Sequence, residues 1–68
     1  MSFSENFIAL QNKRGLTNYR LAKELGVHAT TIQNWRDGKS PQLTHINKVA
    51  DYFGVTLDEL IKEEIEHE

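Results

Sequence analysis

Between residues 29 and 37 the chain spaces Ala29, Thr30, Gln33, Asn34 and Asp37 so that one face of a helix carries them, while Ile32 and Trp35, three apart, fall on the opposite face. Apart from Asp37 these outward residues are short and uncharged, and most of them form hydrogen bonds. A merely solvated helix face is ordinarily rich in Lys and Glu. A carboxamide presents a donor and an acceptor side by side and matches the edge of adenine, and an Ala or Thr methyl can lie against the thymine methyl. The chemistry of Ala29, Thr30, Gln33 and Asn34 therefore suits recognition of base edges in the major groove.

Catalytic chemistry has little support. His28, His45 and His67 do not fall at metal-ligand spacing, there is no cysteine, and no glycine-rich loop follows a strand. No catalytic residue, metal site or cofactor is expected, and a small helical body offers little room for a substrate pocket. Trp35 shares its face with Ile32 and reads as core, not as a ligand-binding aromatic.

The elements that must position this face come from a chain of 68 residues, enough for one domain spanning 1–68. Hydrophobic residues make up 38% and charged residues 26%, the balance of a soluble globular domain. Without cysteine neither a disulfide nor a thiolate metal site can staple the fold, which fits a reducing, cytoplasmic setting. The N-terminus lacks a basic segment followed by an apolar run, and no stretch is apolar enough to span a bilayer, so an unprocessed chain with no membrane association is expected. The net charge of −2 hides an asymmetry. Residues 1–48 hold seven Lys and Arg against three acids, whereas residues 49–68 hold Lys62 against seven acids. A basic body suits a polyanion; the acidic tail, about 62–68, reads either as a solvated helix end or as a second surface.

An apolar residue, a capping residue and an apolar residue four positions past the cap recur along the chain: Phe3-Ser4 with Ile8, Leu16-Thr17 with Leu21, Val27-His28 with Ile32, and Val55-Thr56 with Leu60. This is the spacing of the hydrophobic staple. Ser4, Thr17 and Thr56 are good caps, and Glu59 completes a capping box with Thr56. His28 is a poor one. Gly15, Gly26, Gly38 and Gly54 each close a run of helical period. Helices are predicted at about 4–14, 17–25, 28–37, 43–53 and 56–65, with no strand, giving one all-α domain. The expected core is Phe7, Leu10, Leu21, Ala22, Leu25, Val27, Ile32, Trp35, Leu43, Ile46, Val49, Ala50, Phe53, Leu57, Leu60 and Ile61.

Two short helices joined at Gly26 must cross steeply, and the small Ala22 suits their point of contact. With those residues in place, the stretch Leu16-Thr17-Asn18-Tyr19-Arg20-Leu21-Ala22-Lys23-Glu24-Leu25-Gly26-Val27-His28-Ala29-Thr30-Thr31-Ile32-Gln33-Asn34-Trp35-Arg36-Asp37-Gly38 resembles the helix-turn-helix family of phage repressors and Cro-type proteins. The similarity continues through Asp51-Tyr52-Phe53-Gly54-Val55-Thr56-Leu57-Asp58-Glu59-Leu60 and covers about residues 5–61. The resemblance implies a compact five-helix, repressor-like domain whose second and third helices form the helix-turn-helix. It also implies recognition of double-stranded operator DNA by the third helix, commonly by a homodimer on a two-fold site, as a transcriptional regulator and most simply a repressor.

Carried over position by position, the family's base contacts fall on Ala29, Thr30, Gln33 and Asn34. Its phosphate contacts fall on Asn18, where a glutamine often stands, and on Lys39 and Ser40 in the loop after the recognition helix. Tyr19, Arg20 and Lys23 lie on the outer side of the second helix, where they could reach the flanking backbone or serve as plain surface. Members often pair an arginine on the first helix with a glutamate ending the third. Here those places hold Gln11 and Arg36, so that ion pair is absent and Arg36 is free to pair elsewhere or to contact phosphate. Asp37, an acid near the expected DNA backbone, should turn away or cap locally. Tyr52 and Ile65 exceed what the core needs and are the candidates for a dimer contact. The competing reading is an adaptor or antitoxin-like module on the same fold that binds protein instead of DNA.

Overall fold

The structure is a computed structural model and describes residues 3–61. Five helices follow in order: α1 (Phe3–Arg14), α2 (Asn18–Leu25), α3 (Ala29–Arg36), α4 (Leu43–Phe53) and α5 (Leu57–Ile61). The caps act as their side chains dictate. Thr17 has extended backbone angles and its hydroxyl accepts from Arg20 N–H at 3.0 Å. Thr56 and Glu59 exchange both bonds of the capping box at 3.0 Å each. His28 takes up cap backbone geometry, φ −83° and ψ 150°, but its imidazole makes no capping bond.

The helices close around an aromatic cluster. Phe7, with no exposed surface, meets Phe3 in a stack at 5.4 Å and meets Trp35 and Phe53 edge-on at 5.5 and 6.3 Å. Leu21, Ala22 and Leu25 from α2, Ile32 and Trp35 from α3, Val49, Ala50 and Phe53 from α4 and Leu60 from α5 complete the buried set. Leu10, Val27 and Ile46 pack against it half-buried. α2 and α3 form the most extensive helix pair, and α1 lies against both α3 and α5.

Three expected core residues are exposed: Leu43 at 65%, Leu57 at 36% and Ile61 at 46%. Leu43 and Leu57 are the first residues of their helices, and the packed stripes begin one turn further in, at Ile46 and Leu60. Ile61 is the last described residue of α5. Ser4 also departs from expectation. It lies inside α1 instead of capping it, and its buried hydroxyl donates to the carbonyl of Trp35, tying α1 to α3.

Cations close the helix ends from a distance. Gly26, with φ 74°, turns the chain after α2, and Lys48 from α4 donates its Nζ proton to the Leu25 carbonyl at 3.2 Å. Arg14 donates to the Phe53 carbonyl at 3.0 Å, and its guanidinium lies 5.1 Å from the Phe53 ring centre.

Candidate nucleic-acid interface

α3 presents the two faces that its periodicity demands. Ile32 and Trp35 are buried; Ala29, Thr30 and Gln33 are exposed and Asn34 is half-buried. The Asn34 side-chain amide has no partner among the described residues, so both of its hydrogen-bonding atoms remain available. Tyr19, 71% exposed, stands with Lys23, Val27, His28 and Ala29 around an open groove of about 390 Å³ beside the start of α3. Lys39 and Ser40 project from the loop between α3 and α4. That loop is held to α3 through the Lys39 N–H, which donates to the Asn34 carbonyl at 3.0 Å.

The cations divide into two groups. Arg14, Arg36 and Lys48 donate to internal acceptors, and Arg20 pairs with Glu24 at 3.1 Å on the exposed side of α2. Lys13, Lys23 and Lys39 have no hydrogen bond or ion pair among the described residues.

Polar side chains join α1, α2 and α3 in a continuous chain of hydrogen bonds. Arg36 Nη1 donates to Gln11 Oε1 at 2.8 Å. Gln11 Nε2 donates to the Leu16 carbonyl at 2.9 Å and to Asn18 Oδ1 at 2.8 Å. Asn18 Nδ2 donates to Gln33 Oε1 at 3.0 Å, and Gln33 Nε2 donates to Asp37 Oδ1 at 2.9 Å. The positions read as lacking an ion pair, Gln11 and Arg36, are thus joined by a hydrogen bond. Asp37 acts locally as an acceptor for Gln33. Asn18 retains one amide proton for an outside acceptor.

Gln11, 2% exposed, was not legible as part of this site from its polarity, but its phase gives it away. Phe3, Phe7 and Gln11 are four apart and line the buried face of α1. Tyr52, expected to be spare, packs edge-on against Phe53 at 5.1 Å and is half-buried, so part of it already serves the core. Ile65, His67 and the acidic tail lie outside the described residues. Among the described residues no three His, Asp or Glu side chains gather as a metal site, and no helix is long and apolar enough to cross a membrane.

Comparison with known proteins agrees with this geometry. The helix-turn-helix family model matches residues 8–60. The chain is 35% identical over 65 residues to the HTH-type transcriptional activator BcrR of Enterococcus faecalis, a match covering 94% of this chain and 32% of that protein. It thus spans about a third of that relative's length. A transcriptional regulator from Listeria innocua superposes with a TM-score of 0.84 at 30% identity, over 97% of this chain and 63% of its own. The SOS-response transcriptional repressor LexA from Eubacterium rectale superposes with a TM-score of 0.83 at 32% identity, over 96% of this chain and 73% of its own.

Proposed function

The chain belongs to the helix-turn-helix family of DNA-binding transcriptional regulators, and on that premise we propose that it reads a specific double-stranded operator by laying α3 in the major groove. The observation that carries this reading is the split of α3 into a buried face, Ile32 and Trp35, and an outward face of Ala29, Thr30, Gln33 and Asn34. The carboxamides of Gln33 and Asn34 suit adenine edges, and the methyl groups of Ala29 and Thr30 suit thymine. Asn18, Tyr19, Lys39 and Ser40 flank that face and are assigned to the phosphate backbone, which sets register without reading sequence. Arg36 is assigned chiefly to Gln11; a phosphate contact from it would use the guanidinium edge left over.

One domain of this size reads few base pairs, so two copies on a two-fold site, with half-sites about 10 bp apart, supply useful specificity. The exposed part of Tyr52, together with Ile65, is assigned to the contact between copies. Repression is the regulatory sense assigned here, because occluding a promoter requires nothing beyond the bound protein. The relatives divide on this point, one being named an activator and one a repressor.

Selection from a pool of randomised duplexes, followed by gel shifts at increasing salt, tests the reading. A shared motif with two-fold symmetry and an affinity falling steeply with salt are expected, since phosphate contacts release counterions. Failure to retain any duplex at low salt would overturn it. Sedimentation giving a single copy both free and on DNA would remove the dimer, and a promoter-reporter assay decides between repression and activation.

A further inference from the structure

The hydrogen-bond chain from Arg36 to Asp37 has a direction. A guanidinium can only donate and a carboxylate can only accept, whereas each amide between them could be turned either way. Arg36 therefore requires Gln11 to offer Oε1, and the Leu16 carbonyl requires Nε2 on the other side. Turning Gln11 over would set donor against donor at Arg36 and acceptor against acceptor at Leu16. Gln11 Nε2 then calls for Asn18 Oδ1, Asn18 Nδ2 calls for Gln33 Oε1, and Gln33 Nε2 ends on Asp37 Oδ1. Both charged ends impose the same sense on all three amides.

An amide side chain donates two hydrogen bonds and accepts two. Gln33 uses one of each inside the chain, which leaves one donor and one acceptor, the set a bidentate adenine contact needs. We infer that the Arg36–Gln11–Asn18–Gln33–Asp37 chain fixes the sense in which Gln33 meets a base, making buried Gln11 and exposed Asp37 positioning residues for sequence specificity. The inference rests on the reading of Gln33 as a base-contacting residue. The outer bonds of the chain are exposed in the free protein and would be covered on DNA, where lower polarity strengthens them.

The test measures affinities of the whole chain for its selected operator and for each single base-pair substitution. The variants are Gln33→Ala, Gln11→Met, Asp37→Ala and the doubles that combine either of the last two with Gln33→Ala. Gln33→Ala should identify one base pair whose discrimination is lost. Gln11→Met and Asp37→Ala should each lower discrimination at that pair, and at no other, by about three- to tenfold, the worth of one hydrogen bond. Neither should lower it further once Gln33 is gone. Removing the Asp37 charge also raises affinity for every duplex, and because discrimination is a ratio that uniform rise cancels from it. Asp37→Ala leaves the core untouched, so it decides the matter even if Gln11→Met fails to fold. In the free protein, Gln11→Met should also shift the Gln33 side-chain amide resonances, although residue 11 does not touch Gln33. If Gln33→Ala relaxes one position but Asp37→Ala leaves it intact or weakens all positions alike, the positioning role is overturned and the base-reading role of Gln33 stands. If Gln33→Ala changes no preference, both fall.

Discussion

Lys48 Nζ lies 3.2 Å from the carbonyl oxygen of Leu25, so a cation on α4 closes the C-terminal end of α2 immediately before the turn into α3. The same ammonium is 3.8 Å from the position a Cβ on Gly26 would occupy. The turn of the helix-turn-helix is thereby braced from outside the motif. Lys48→Met keeps the aliphatic stem and removes the donor. Thermal unfolding should show a loss of about 1 kcal/mol, while the slope of DNA affinity against salt should change by much less than the roughly one unit that a direct phosphate contact contributes. A slope flatter by about one would mean that Lys48 contacts phosphate.

Lys39 is expected to behave in the opposite way. It has no internal partner among the described residues and stands in the loop that follows α3. Lys39→Ala should weaken binding to all duplexes alike and reduce the salt slope by about one, with unfolding unchanged. Gel shifts at four or five salt concentrations are sufficient to see it.

Asn34 and Gln33 carry the sequence information in this reading. Asn34→Ala should cost about 1–3 kcal/mol on the selected operator and far less on unrelated duplexes, because one bidentate base contact is lost. Equal weakening on every sequence would contradict the role given to Asn34. Its amide, unlike that of Gln33, has no internal partner among the described residues, so its loss should be felt at its own base pair and not at a neighbour's.

The start of α3 can be improved. His28 already has the backbone angles of a cap but supplies no capping bond. His28→Ser should raise stability by about 0.5–1 kcal/mol, visible as a higher midpoint of thermal unfolding. DNA specificity should remain as it is, since residue 28 precedes the base-reading face.

Much of this architecture is legible in the residues themselves because it depends on local rules. Thr17, Thr56 and the glycines mark helix limits through bonds that span three to five residues, and those limits fall within one or two positions of expectation for the first four helices. The two faces of α3 follow from spacing alone. What escapes local reading depends on partners brought together only by folding. Arg14 finds the Phe53 carbonyl 39 residues away, Arg36 finds Gln11 25 residues away, and Ser4 finds the Trp35 carbonyl 31 away. No periodicity encodes those pairings. Leu43 and Leu57 mislead for a related reason: they are in phase with a stripe but lie at the ends of helices, where the neighbouring elements no longer reach. Gln11 sits between the two cases, since its phase is visible while its partners are not.

The acceptors chosen by Arg14, Arg36 and Lys48 are two main-chain carbonyls and one amide oxygen. These oxygens occupy the donors without cancelling any charge. Three cations thus hold the helices in place and still contribute their full unit charge to the field around the domain. Contact and approach are thereby separated: few of the basic side chains are free to touch phosphate, yet most still draw the protein toward it. Rates of association should accordingly fall with salt more strongly than the number of direct phosphate contacts alone would suggest.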